Sequence, residues 1–180
     1  MDILALFGIK QSQAPEETHD SAADTIRKIS DSLDKLEPSE AKYIASFAYV
    51  LGRVAHADLH ISEEEVSEME RIVQGLGNLA EEQAVLVVQI AKTQNKLFGG
   101  TENFVVTREF RKIATREQKT ALMNCLFAVS ASDESISSIE DNEIRRISRE
   151  IGLDHRNFIA ARSGYKEHLE VLKKRPTGAG

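Results

Sequence analysis

One cysteine in 180 residues excludes an internal disulfide framework, so this fold has to hold by packing. Cys125 lies in the apolar run 122–129, where a small buried thiol with no catalytic part is expected. No stretch approaches the roughly 20 apolar residues of a membrane-spanning helix. Residues 1–10 lack the basic start and the cleavage site of a secretory signal, so a cytoplasmic protein with no transmembrane segment is expected. Those ten residues, Met-Asp-Ile-Leu-Ala-Leu-Phe-Gly-Ile-Lys, are read as a locally packed or loose terminus, with a weak amphipathic dock as the alternative. Basic charge is also scarce: 23 Lys and Arg stand against 29 Asp and Glu, a net charge of −6. That argues against nucleic acid, because phosphate binding needs clustered cations on one face. The cluster Arg108, Arg111, Lys112, Arg116, Lys119 is interrupted by Glu109 and Glu117 and reads as a solvated helix face. A nucleophile with a neighbouring base, a phosphate-cradling glycine loop and a cofactor fingerprint are all missing, which makes the reading non-enzymatic.

What is present is helical punctuation, with apolar residues three and four apart. The spacing predicts a helix over 22–36, then one with Pro38 in its first turn running to about residue 57. Ser62 starts a third helix, which Gly77 ends as a left-handed C-terminal glycine. A fourth spans 80–97 and is closed by Gly99 and Gly100, and Thr101 opens a fifth. Thr115-x-x-Gln118 and Ser137-x-x-Glu140 are capping boxes for the next two, and Gly152 terminates the second of these. Asp154 caps a last segment broken by Gly164. The expected class is therefore all-α, a bundle of about 7–8 helices. Residues 1–20 form a flexible N-terminal segment, 21–172 a single helical domain with halves over about 38–97 and 101–172, and 173–180 a disordered tail.

The halves repeat at one constant offset. Shifting residues 45–77 by 75 onto 120–152 pairs Leu51 with Leu126, Val54 with Val129, Asp58 with Asp133, Ile61 with Ile136 and Ser62 with Ser137. Glu65 then meets Glu140, Glu68 meets Glu143, Arg71 meets Arg146, Ile72 meets Ile147 and Gly77 meets Gly152. Helical patterning supplies the apolar matches but does not require the acidic ones, so the polar identities carry the argument for two pseudo-symmetric helical-hairpin repeats.

Capping accounts for Ser62 with Glu65 and Ser137 with Glu140, since serine oxygen and glutamate carboxylate satisfy free helix-start amides. It does not account for Glu68 and Glu143, one turn further on the same helix faces. If the halves pack about a pseudo-twofold axis, the bends converge and gather Asp58, Glu65, Glu68, Asp133, Glu140 and Glu143. Two like charges about 5 Å apart at an effective dielectric of about 20 repel by roughly 3 kcal/mol. Several such pairs approach a domain's whole net stability of about 5–15 kcal/mol. The carboxylates must splay into water, share protons or hold a cation, and hard oxygen donors suit Ca²⁺ or Mg²⁺, with Ca²⁺ tolerating the less regular geometry. Zinc on His56, Asp58 and His60 is a lopsided alternative, because the second copy has Ala131 and Ser135 at the histidine places.

Ala-x-Ala-Asp58-x-x-Ile-Ser-x-x-Glu65 leading to Leu-Gly77, followed by Ser-Asp133-x-x-Ile-Ser-x-x-Glu140 leading to Ile-Gly152-Leu, resembles the TerB family of tellurite-resistance proteins over about residues 39–172. Arg162-x-x-Tyr165-x-x-x-Leu169 is similar to the family's last helix. The family's usual glycine after each aspartate is replaced here by Leu59 and Glu134. The resemblance implies an all-helical bundle, an acidic surface for a divalent metal, and protein partners in bacterial stress or tellurite-resistance complexes. Asp58, Glu65, Asp133 and Glu140 carry over as ligands, with Glu68 and Glu143 as secondary ones. Because the family includes modules of membrane-anchored co-chaperones, a membrane-associated complex and peripheral attachment at the inner membrane stand beside the cytoplasmic reading. A metal-free interaction scaffold or co-chaperone accessory domain is the competing function; the His-Pro-Asp of a J-domain does not occur.

Overall fold

The computed structural model describes Leu6 and residues 20–55, 62–97, 103–132 and 134–173. The helices in chain order are α1 (Asp20–Asp34), α2 (Pro38–Ala55), α3 (Glu63–Leu76), α4 (Glu81–Leu97), α5 (Asn103–Ile113), α6 (Arg116–Ala131), α7 (Ser138–Glu150) and α8 (His155–Ser163). A 3-10 turn, Lys166–His168, and the one-turn α9 (Glu170–Lys173) close the described chain. The expected all-α class holds. Gly99, Gly100 and Thr101, and the tail beyond Lys173, lie outside the described residues, as does most of the N-terminal segment. Leu6 is half-buried against the core.

Local chemistry explains the helix starts. Pro38 occupies the first position of α2, where its missing N–H costs nothing. Thr115, Ser62 and Ser137 each sit in extended backbone and accept from the amide three residues on, forming complete capping boxes. Asp154 accepts from the Asn157 amide at the head of α8.

The ends of α3 and α7 differ. Gly152 is left-handed, at φ 78, as a C-terminal glycine should be. Gly77 is not: its φ of −76 keeps it right-handed, and its N–H donates to the Val73 carbonyl at 2.8 Å. The left-handed residue is Asn78, at φ 54. Gly77 is needed for space, because a Cβ there would collide with the Val73 carbonyl oxygen and meet Cys125 Sγ at 3.5 Å.

α2 is apolar around most of its circumference, which suits only a central helix. Ile44, Phe47, Ala48, Val50 and Leu51 have no exposed surface, and α2 touches α4, α5, α6 and α7. α6 is the second buried axis, with Leu122, Cys125, Leu126 and Phe127 fully covered. Tyr43 and Phe110 stack at 5.7 Å between α2 and α5, and Phe127 and Tyr165 stack at 5.7 Å between α6 and the closing segment. α7 packs on α2 and α3 packs on α6. Each acid-headed helix is therefore laid against the helix that precedes the other one in the chain.

The closing segment returns over the α6–α7 bend. Ile136 N–H donates to the His168 carbonyl at 2.7 Å, and Glu170 N–H donates to the Ile136 carbonyl at 3.1 Å, a single parallel bridge that buries Ile136 and Leu169. Lys173 Nζ donates to the Glu134 carbonyl at 3.1 Å. Glu134 itself is left-handed, at φ 66. Its place is where the resembling family carries glycine. A side chain there costs roughly 1–2 kcal/mol, partly offset by the extra unfolded-state freedom of glycine, about 0.4–1 kcal/mol. Glu134→Gly is expected to raise the melting temperature by about 1–2 °C in scanning calorimetry; a lowered value would mean that Glu134 makes a contact worth more than the strain.

Candidate functional site

Among the sequence-predicted site residues, Glu65, Glu68, Glu140 and Glu143 are described; Asp58 and Asp133, with His56 and His60 of the zinc alternative, lie outside the described residues. At the head of α3, Ser62 N–H donates to Glu65 Oε2 at 2.5 Å and Glu65 N–H donates to Ser62 Oγ at 3.2 Å. The head of α7 repeats this: Ser137 N–H donates to Glu140 Oε2 at 2.8 Å and Glu140 N–H to Ser137 Oγ at 3.2 Å. Donation from the Ser62 backbone, then from its side chain, holds the Glu65 carboxyl below the ordinary range, so it is an anion at neutral pH. In both cases one carboxylate oxygen is spent on the cap, and the Oε1 atoms of Glu65 and Glu140 have no partner among the described residues.

Glu68 and Glu143 are equal in sequence position but not in setting. Glu68 is gripped by its own helix: Arg71 Nε and Nη2 donate to its two oxygens at 3.0 and 2.7 Å. Those bonds hold the Glu68 carboxyl below the ordinary range. Glu143 is met from the other half. Arg53, on the last turn of α2, donates through Nε and Nη2 to Glu143 Oε1 at 2.9 and 2.5 Å, and through Nη1 to Glu150 Oε2 at 2.7 Å. The Arg53 side chain is only 4% exposed. Arg146, the counterpart of Arg71, turns away from Glu143 and bonds Glu150 at 3.0 Å.

Sequence reasoning passed over Arg53, and the reason is plain in the repeat: its counterpart is Ala128, so no identity marks it. It also passed over Asp141. This carboxylate follows Glu140, is buried, and takes two bonds from Arg162 of α8, Nε to Oδ1 at 2.7 Å and Nη2 to Oδ2 at 2.8 Å. The available signal was Arg162 in the closing motif, which called for a buried acid on a neighbouring helix.

Arg53, Val54, Glu140 and Glu143 line a recess of about 530 Å³ together with Ile139, which is 81% exposed. Val54 stands four residues before Asp58 in the sequence. Glu140 and Glu143 therefore sit against the last turn of α2. Glu65 and Glu68 are not part of that recess. Among the described residues no three His, Cys, Asp or Glu side chains are grouped to hold a metal ion. Two of the six expected carboxylates are neutralised by the protein's own guanidinium groups. The Cys125 thiol is buried and pushed up to about 12 by that burial, which leaves it protonated and unreactive at neutral pH.

A family model described as tellurite resistance protein TerB matches residues 43–163, from the first turns of α2 to the end of α8. Comparison with curated proteins and with solved structures finds no match.

Proposed function

The chain belongs to the TerB family, and from that premise we propose that this tellurite-resistance-family module works by binding rather than by catalysis. Its acidic bends take up a divalent cation, Ca²⁺ ahead of Mg²⁺ or Zn²⁺, and its helical body engages protein partners in a stress-response complex. The observation that supports the cation is the one-oxygen cap repeated at Glu65 and Glu140. A carboxylate offers about four lone-pair sites, so the oxygen opposite the cap remains available to a hard ion. Pairing each capping glutamate with the aspartate of its own bend gives Asp58 with Glu65 and Asp133 with Glu140 as primary donors. Glu68 and Glu143 stay secondary, since Arg71 and Arg53 already hold them. Among the described residues no helix is long and apolar enough to cross a membrane. A cytoplasmic setting, with attachment at the inner membrane through a partner, goes with this reading.

The competing reading is a metal-free scaffold, in which the bends are caps alone; the supply of internal cations to Glu68 and Glu143 favours it. Calorimetric titration with Ca²⁺, Mg²⁺ and Zn²⁺ separates the two. Binding heat with the natural chain, lost in the Asp58→Asn/Asp133→Asn double variant at unchanged melting behaviour, is the expected result. Equal and negligible heats for both proteins would leave the scaffold.

A further inference from the structure

At the other end of α2 from the first acidic bend, the last turn of α1 and the first turns of α2 and α4 enclose an open groove of about 1050 Å³. We propose that this groove receives a basic amphipathic segment of a protein partner. The inference specifies the partner half of the function above and rests on that reading.

Three features carry it. The floor is apolar: Leu36 and Val85 are half-buried and Leu86 nearly covered. The rim is acidic: among the described residues Glu40, Glu81 and Glu82 line it with one cation, Lys35. The starts of α2 and α4 each contribute roughly half a positive unit, so the rim stays net negative. Glu81 and Glu82 are exposed and form no ion pair among the described residues. The wall is fixed: Gln83 Nε2 donates to Glu40 Oε1 at 2.5 Å, tying α4 to α2 while its backbone-directed oxygen accepts from Ala80 N–H at 3.1 Å.

The groove is as large as the upper end of small-molecule pockets, roughly 300–1,000 Å³, and it runs between helices, the setting in which an amphipathic helix lays its apolar face into a groove. Lys and Arg fit the rim because their alkyl stems lie on apolar surface while the charged heads reach carboxylates. An acidic segment would be repelled, and a neutral apolar one would leave the glutamates without partners. The whole-chain charge of −6 adds attraction at a distance.

The test uses the full chain in the presence of chelator and a fluorescein-labelled, 14-residue Leu/Lys amphipathic peptide, read by fluorescence anisotropy. Two control peptides accompany it: a scramble of the same composition and a version with Glu in place of Lys. The amphipathic basic peptide is expected to bind at least tenfold more tightly than either control. Glu81→Lys/Glu82→Lys, at exposed positions that leave the fold intact by circular dichroism, should weaken it at least tenfold and improve the Glu version. Val85→Glu should weaken all apolar docking. No binding, equal binding of either control, or an affinity unchanged in both variants overturns the proposal. Cation heats recorded on the same variants report separately on the bends, so either idea can fail while the other stands.

Discussion

Replacing Arg53 with methionine is expected to lower the melting temperature by about 10 °C. The guanidinium is almost wholly buried and links α2 to both Glu143 and Glu150 of α7. Its removal leaves two partly covered carboxylates without their cation, and breaking such a buried pair from one side costs about 3–5 kcal/mol. Because both glutamates keep some contact with water and Arg146 still reaches Glu150, the lower end, about 3 kcal/mol, is the expectation. For a domain of this size that is roughly 2–4 °C per kcal/mol. Arg71→Met is the control. Arg71 is exposed and, among the described residues, pairs only with Glu68 on its own helix, so its loss should leave the melting temperature within error. The acid limb gives an independent check. Burial alone would raise the Glu150 carboxyl, but the hydrogen bond and charge of Arg53, with Thr107 and Arg146, hold it below the ordinary value. A carboxyl lowered in the folded state contributes stability that is complete above its unfolded value, about 4.3, and is lost as the pH falls through the folded one. The gap between natural and Arg53→Met proteins should narrow below about pH 4. Melting curves that coincide at pH 7 would show that α2 and α7 are not joined through this arginine.

Leu169→Ala is expected to cost about 3 kcal/mol and to release the second bend while sparing the rest of the bundle. Leu169 has no exposed surface and is the apolar anchor of the segment that bridges Ile136. Truncating a buried leucine costs about 2–5 kcal/mol according to how well the site collapses. The closing segment is short and held by few bonds, so its local opening should fall well below global unfolding in free energy. Amide exchange measures this directly. The Ile136 and Glu170 amides, which donate across the bridge, should lose most of their protection in the variant. The Leu51 and Val87 amides on the central helices should change only in step with global stability. Undiminished protection at Ile136 would mean that the Tyr165 stack on Phe127 holds the segment alone. The same variant is expected to bind Ca²⁺ more weakly than the natural chain, because the closing segment bonds Ile136 and Glu134 beside Asp133.

The starts of α3, α6 and α7 could be read from the chain because each depends on one side chain and an amide three residues away. The chemistry is complete within a single turn, and no distant residue can revise it. The same locality made Pro38 and Gly152 reliable marks. Gly77 misled because the identical glycine at an aligned position had a different task, close approach to Val73 and Cys125, and Asn78 took the left-handed turn. For the candidate site, the capping roles of Glu65 and Glu140 were visible for that reason, and the charge problem posed by Glu68 and Glu143 was visible from their spacing. Its resolution was not.

Sequence alone determined an all-helical chain and its caps, since those follow from bonds within a turn and from residue spacing, and its motif resembled the family that the family model then matched. Only the tertiary structure decided which charge answers which. Arg53 meets Glu143 from 90 residues away and Arg162 meets Asp141 from 21, while the closing segment bridges Ile136 across the α6–α7 bend. Coulomb attraction and burial act through space, and a linear chain does not say which of its many cations will stand beside a given carboxylate until the helices have packed.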